Sequence, residues 1–545
     1  MGSCVFMKNI RCCSRKVDET VEGVPFSRSF KTSKLNARFS DTGLQTSCAT
    51  RRSCVFFRPC ICPRVRHSCK RVLRGPTKPL AIRGSPGLGT DSEAPHGDKV
   101  VVVGAGPAGT AVAMQLAKSG YRVQVYERRG DPSEEEQGSS RAFGIVINQR
   151  GQHALEQLGI HLPAPGCGVR FDGSLRHTTK GTSLMPNTEG SVCVDRAALA
   201  RHMVIHAQEE FPEIEFHFSM KCKGVDTARR CISFEDGEGS TVEATYDLLV
   251  GADGANSAVR EALASEGSLT YSREENLRDY KSFVLDKSLW DSDPEYANRM
   301  LTWSSVDGSV TRMWAVPNPD GTAQGMLTLY KGAFAGLGET ADYSRLLSAK
   351  FAGLRPEMLK AISDSCTDAP VSGGGTMVKC STLSSGRVVL IGDAGHSMFP
   401  ALGQGCNSAI ESAAALKESL EAANGDIESA VRRFSNERLP EVSAAADLSA
   451  KVIDIDGSRG PIGNFKKTVF GLQIVLGVLL NKAAPSIFKP PVLFQVNKVG
   501  ASYVELKDRM MREMATLSVL LVVIVAGIAA AITKIAALFV GPLLS

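Results

Sequence analysis

The chain has 545 residues, 43% hydrophobic and 22% charged, which is enough to bury a large core and too apolar for a wholly disordered protein. Its formal charge of +6 is lopsided: residues 1–98 carry 18 Lys and Arg against seven Asp and Glu, so the body itself is slightly acidic. A body of that sign argues against nucleic acid as a partner.

Residues 1–97 are rich in Ser, Thr, Arg and Cys, poor in acids and without sustained periodicity, the composition of an organelle transit peptide. Abundant Ser and the lack of an Arg-rich amphipathic start favour chloroplast over mitochondrion, with a plain disordered basic tail as the alternative. Eight of the 15 cysteines precede residue 70, and Cys60-Ile-Cys62 lacks the second pair a zinc site wants. The seven from Cys167 to Cys406 are scattered and read as reduced core thiols.

From 98 to 440 the pattern is mixed α/β. Short apolar strands are expected at Lys99–Val103, Val123–Glu127, Asp247–Val250 and Arg387–Ile391, among helical segments. Alternating, turn-punctuated segments across 280–380, such as Arg312–Val316 and Gly325–Tyr330, predict an antiparallel sheet. Beyond 440 the chain turns helical. Thr468–Leu480 is apolar but too short to span a bilayer, whereas Leu517–Ile532 runs without a charge and continues past Lys534 to Leu544. With Lys507, Arg509 and Arg512 ahead of it, 514–545 is expected to be a membrane anchor, and 468–480 a second contact.

Three motifs carry the chemistry. In the first, the apolar strand Lys99–Val103 enters Gly104-Ala-Gly106-Pro-Ala-Gly109, which opens a helix. Glycines at this spacing allow a tight turn, close approach of backbone to a pyrophosphate, and close packing of helix on strand. Glu127-Arg128 ends the next strand, where a carboxylate can take both ribose hydroxyls of a dinucleotide. The second, Gly251-Ala-Asp253-Gly254-Ala-Asn-Ser257, follows a strand and taken alone reads as a strand-to-helix connection with a Ser cap. The third is Gly392-Asp393-Ala-Gly395-His396, followed by Pro400, Gly403-Gln404-Gly405-Cys406-Asn407 and a helix. Its Asp can hold a sugar hydroxyl, and its Gly-rich helix start offers backbone N–H groups to an electron-rich ring. His396 is read as packing the loop and not as an acid or base. No metal-ligand spacing is present.

In this order and spacing the three motifs resemble the FAD-dependent aromatic hydroxylase family typified by p-hydroxybenzoate hydroxylase, over most of 99–440. The resemblance implies an α/β fold with a Rossmann-type FAD-binding domain in two parts (98–279 and 381–440), an antiparallel-sheet substrate region (280–380), a helical region (441–513) and the anchor. It implies that Gly104, Gly106, Gly109, Glu127 and Arg128 hold the ADP half, that Gly392 and Asp393 take the ribityl chain, and that Pro400, Gly403, Gln404, Gly405 and Asn407 face the flavin ring. The Asp253-Gly254 turn would serve both FAD and the pyridine nucleotide. Arg141-Ala-Phe-Gly-Ile-Val-Ile-Asn148-Gln-Arg150, Asp195-Arg196 and Phe434–Pro440 are similar in particular to the kynurenine 3-monooxygenases, which adds Arg141 and Arg196 as flavin contacts.

The resemblance further implies that FAD is reduced by NADPH or NADH, which visits without a fold of its own, and that O2 then hydroxylates an electron-rich small molecule. It weakens at the substrate site. Those enzymes hold an amino-acid substrate with an Arg–Tyr pair, and here Arg170 or Arg176 is the nearest cation, Met185-Pro186-Asn187 stands where the Tyr is expected, and Ala450–Arg459 lacks aromatic residues. Kynurenine is therefore not the expected substrate. Two other readings stay open: an FAD-dependent epoxidase or reductase of an isoprenoid or quinone, and an inert flavin-binding membrane protein.

Overall fold

Residues 97–134, 144–290, 294–307 and 311–540 are described by the computed structural model, with side chains as far as Lys534. The expected leader, Arg141 and the last five residues lie outside them. Lys99–Val103 (β1) is a valine run whose last four residues are all buried. A strand apolar on both faces needs layers on both sides, which places it inside a parallel sheet. It pairs in parallel with Arg122–Tyr126 (β2) on one side and with Leu248–Gly251 on the other, at the centre of a six-stranded sheet that also takes in Glu215–His217 and Val388–Leu390.

The helices in chain order are α1 (Pro107–Lys118), α2 (Gln149–Glu156), α3 (Arg196–Glu210), α4 (Ala258–Ser265), α5 (Lys287–Trp290), α6 (Thr340–Lys350), α7 (Pro356–Asp368), α8 (Asp393–His396), α9 (Gln404–Ala422), α10 (Ile427–Gly457), α11 (Gly460–Ala483) and α12 (Tyr503–Val540). On one face of the parallel sheet Val100 and Val102 meet Met114 of α1, Leu199 of α3 and Leu416 of α9. On the other, Val101 and Val103 meet Phe234 and Val259. Each such fully buried side chain contributes on the order of 1.5–3 kcal/mol.

A second, seven-stranded sheet runs in the order Ser372–Gly373, Arg278–Leu285, Ala323–Tyr330, Arg312–Pro317, Arg299–Ser304, Gly173–Thr178, Gly181–Pro186. Phe283, Leu327 and Trp303 on one of its faces bury α6 and α7 through Tyr343, Leu347 and Ile362. The expectation confined this sheet to 280–380 and made it antiparallel throughout. Two of its strands instead come from 173–186, and Gly173–Thr178 joins Arg299–Ser304 in parallel. Alternation explains the recruitment: Leu175 and His177 point into the same core, where His177 stacks on Trp303 with ring centroids 5.0 Å apart.

Two further expectations shift. The boundary set at 440 falls inside α10, because Val442, Ala444–Ala446 and Leu448 continue one buried face. The apolar stretch 468–480 is the middle of a longer helix, since Pro461 sits in the first turn of α11 and the polar Asn464, Lys466 and Lys467 extend it without breaking it. The seven body cysteines are free thiols.

Candidate functional site

Three chain reversals meet at the carboxyl ends of the parallel strands. A Cβ on Gly104, where φ is +104°, would stand 2.6 Å from the Ala252 carbonyl oxygen, and one on Gly109 would strike the Gly104 oxygen at 1.9 Å. Only glycine lets α1 and the 252–254 turn come this close to the end of β1. On the far side a Cβ on Gly392 would lie 2.9 Å from that of Ala108 and 3.4 Å from that of Ala409, so the third motif abuts the starts of α1 and α9. Gly106 and Gly254 face open space, and Gly405 has only Met398 Cγ near, at 3.9 Å. Both α1 and α9 begin at a glycine and neither has a side-chain cap, so their first N–H groups are left for another partner.

The acidic residues differ in how they are held. Glu127 is buried, its Oε2 accepting from Ala105 N at 2.9 Å and its Oε1 from Arg129 N and Nε at 3.0 Å each. Burial raises its pKa, yet the backbone N–H groups of Ala105 and Arg129 and the Arg129 charge outweigh that and hold the carboxyl below the usual range. Arg129 and not Arg128 is thus the cation on Glu127. Arg128 is exposed.

Asp253 Oδ2 caps α4 by accepting from Ala258 N at 2.6 Å, and Ser257 caps it through Arg260 N at 2.9 Å, so the Ser-cap reading of this turn is correct. Asp253 Oδ1 is buried with no hydrogen-bond partner among the described residues. Burial pushes the carboxyls of Asp253 and Asp393 upward, and at Asp393 the nearby Arg196 charge opposes it. Arg196, the first residue of α3, acts on the buried Cys406 as well, so its charge lies near the third motif.

The side chains of Gln404 and Asn407 are buried and engaged. Asn407 Oδ1 accepts from Asn148 N at 3.0 Å, and its Nδ2 donates to the carbonyls of Val146 and Gly403. Gln404 Oε1 accepts from the Tyr503 hydroxyl at 2.8 Å and Asn148 Nδ2 at 3.2 Å, while its Nε2 donates to Asn497 Oδ1 at 2.9 Å. Arg150 clamps the C-terminal segment behind them: its guanidinium lies 4.1 Å from the Tyr503 ring centroid, and it donates to the carbonyls of Val496 and Ala501. Arg150 and Arg438 share Glu411, at 2.9 and 2.7 Å.

His396 is buried. Its Nε2 accepts from Gly392 N at 3.1 Å, and burial followed by the Arg438 charge lowers its pKa to about 3, so it is a neutral brace for the loop. Tyr503 and Asn497 had no signal in the sequence. Neither lies in a motif, and Tyr503 stands 99 residues from its partner.

Arg170 and Arg176 do not come together by any hydrogen bond. Arg170, in a three-stranded sheet with Gly144–Ile147 (β3), donates to Leu162 O at 3.4 Å. Arg176 is exposed on the seven-stranded sheet and donates to Ser304 Oγ at 3.3 Å. Asn187, where a tyrosine was sought, ties its own turn to Phe171 and Ser191. On the sheet face opposite α6 and α7, Arg278 and Arg312 are both paired with Asp456 at the end of α10.

A family profile described as FAD binding domain matches residues 98–289 and 374–449. The kynurenine 3-monooxygenase of Salinispora arenicola (strain CNS-205) is 30% identical over 375 residues, covering 65% of this chain and 78% of that one. The kynurenine 3-monooxygenase of Phaeosphaeria nodorum is 27% identical over 379 residues, covering 64% and 76%. The crystal structure of P. aeruginosa PqsL in complex with 2-aminobenzoylacetate shares the fold, with a TM-score of 0.54 at 20% identity over 66% of this chain and 96% of that one. The chain belongs to the FAD-dependent aromatic hydroxylases, and is a flavoprotein monooxygenase that works with FAD, NAD(P)H and O2.

Proposed function

We propose that FAD is held where the three reversals meet, that the substrate is an electron-rich aromatic other than kynurenine, and that α12 fixes the enzyme in an organelle membrane. The observation that carries the cofactor site is the pair of uncapped helix starts, α1 and α9, brought together at Gly392 with Gly106 facing open space. The residues fit the cofactor. The first N–H groups of α1 suit a pyrophosphate, and Glu127 suits the ribose at the end of β2. Asp393 and the buried Oδ1 of Asp253 each offer a carboxylate oxygen to a hydroxyl. Those of α9 suit the electron-rich edge of the flavin ring, and the Gln404 and Asn407 side chains fix that helix start and leave the ring to the backbone. The chemistry supplied by bound FAD is hydride uptake from NAD(P)H and activation of O2 for hydroxylation. The chain's own share is to hold the ring, keep water out and orient the substrate.

For the substrate, the two relatives are kynurenine 3-monooxygenases, and the amino-acid carboxylate of kynurenine in a closed site needs a cation and a hydroxyl to offset several kcal/mol of desolvation. Here Arg170 and Arg176 diverge, and Arg278 and Arg312 are already spent on Asp456. A panel of aromatic substrates assayed for NAD(P)H oxidation and product mass tests this. We expect turnover of some other aromatic, with kynurenine slower by at least about one decade, the effect of losing one charged hydrogen bond of about 1.5 kcal/mol or more. Conversion of kynurenine as the best substrate of the panel would overturn it.

The membrane reading rests on α12, whose residues from 519 to 534 are almost wholly exposed and apolar. Burial of that surface in lipid is what its composition favours. Chloroplast remains the proposed organelle, from the composition of the leader.

A further inference from the structure

Both α11 and α12 are long and apolar enough to cross a bilayer by length and composition. At about 1.5 Å per residue, the 24 residues of α11 reach about 36 Å, more than a hydrocarbon core of roughly 30 Å. Packing decides between crossing and lying flat. One face of α11, formed by Val469 and Gln473 with Phe465 and Phe470 beside them, packs with Leu506, Met510 and Met514 of α12 in the same apolar cluster as α10. Gln473 Nε2 donates to Glu513 Oε2 at 2.7 Å and reaches the Met510 carbonyl.

Helix α11 is thereby level with the charged half of α12, which carries Glu505, Lys507, Asp508, Arg509, Arg512 and Glu513 and is packed on the folded body. If the uncharged half of α12 crosses the bilayer, that charged half is in water, and α11 beside it cannot cross as well.

The outward face of α11 is nonetheless apolar. Leu472, Val475, Leu476, Leu479 and Leu480 are exposed at helical spacing, 55% for Val475 and 57% for Leu479, and Ile487 and Phe488 extend the patch. A contiguous apolar face of this kind on a soluble surface is a binding site. The helix it packs against, α12, goes on into an exposed apolar half, which points to lipid, and Lys467, Lys482 and Lys489 at the borders of the α11 face suit a headgroup layer.

We propose that α11 lies in the plane of the membrane interface as a second lipid contact, with the Val475–Leu480 side submerged and Gln473 turned to the body. The proposal deepens the membrane reading of α12 and rests on it. The segment that follows α11 carries Asn497 and Tyr503 to Gln404, so the flavin loop is braced from the membrane side.

The test uses full-length variants Leu476→Trp, Leu479→Trp and Val525→Trp in vesicles of phosphatidylcholine and phosphatidylserine. The lipids are brominated either near the headgroup or near the bilayer centre, and bound flavin absorbance is the check on folding. The unsubstituted chain gives the background from Trp290, Trp303 and Trp314.

We expect loss of fluorescence at 476 and 479 that is larger with shallow than with deep bromines, and the reverse order at 525. Deep exceeding shallow quenching at both 476 and 479 would mean that α11 spans, and overturn the proposal. No quenching at either, with 525 still quenched, would mean a protein partner such as a second copy of this chain, and overturn it too. No quenching at 525 would instead remove the anchor reading on which it rests.

Discussion

Tyr503 is fully buried, and its hydroxyl is one of two donors to Gln404 Oε1, the other being Asn148 Nδ2. The Tyr503→Phe variant loses that donor while keeping the ring under Arg150, so about 0.5–1.5 kcal/mol of loop positioning goes and packing stays. FAD affinity, followed by flavin fluorescence, should fall up to about tenfold with little change in melting temperature. Unchanged affinity would mean that Gln404 does not set the α9 start.

Glu411 makes a claim that depends on pH. Burial raises its pKa, but Arg438 and Arg150 more than reverse this, so its folded value is depressed. A depressed carboxyl contributes stability that is present above the ordinary value of about 4.3 and is lost as pH falls through the folded value. The difference in urea midpoint between the natural chain and Glu411→Gln should therefore be large and flat from about pH 7 to 5 and shrink below about 4.3. A difference that grows on acidification would refute the pairing. The positions of Gly104, Gly392, Glu127 and Asp393 in the candidate site could be marked out in the sequence because each follows a strand within one short motif. Those of Asn497 and Tyr503 could not, because they follow from where distant chain segments pack.

At the scale of elements, alternation and apolar runs located β1 to the residue, and the ends of the five other strands named from the sequence within one or two. What they did not carry is partner choice. Nothing local in Gly173–Thr178 says that it joins Arg299–Ser304 in parallel, since its alternation fits either neighbour. The same holds for α10, which runs through Pro440 because its buried face continues. Helix α12 divides by its own packing: Met514, Leu517 and Leu521 belong to the body cluster, and the apolar stretch beyond is exposed. Deleting 522–545 should thus leave FAD content unchanged and convert carbonate-resistant membrane binding into carbonate-extractable binding, measured by flotation and immunoblot. Continued resistance to carbonate would make α11 the anchor.

For the whole molecule, the parallel sheet supplies three strand ends, the seven-stranded sheet lies alongside them with Asp456 latched to Arg278 and Arg312, and the C-terminal helices close the cluster behind Gln404. The proposed FAD site lies over the start of α1. Gly106 tests this most directly, because its φ of −73° and ψ of 175° suit any residue and nothing lies within 4 Å of a Cβ placed there. A Gly106→Val chain should fold at a cost of about 1 kcal/mol or less. It would also place a branched side chain where the pyrophosphate has to approach the backbone. The measurement is flavin absorbance per protein, with circular dichroism to confirm the fold. We expect a folded, colourless protein, whereas a folded protein that keeps its full complement of FAD would mean that the cofactor lies elsewhere.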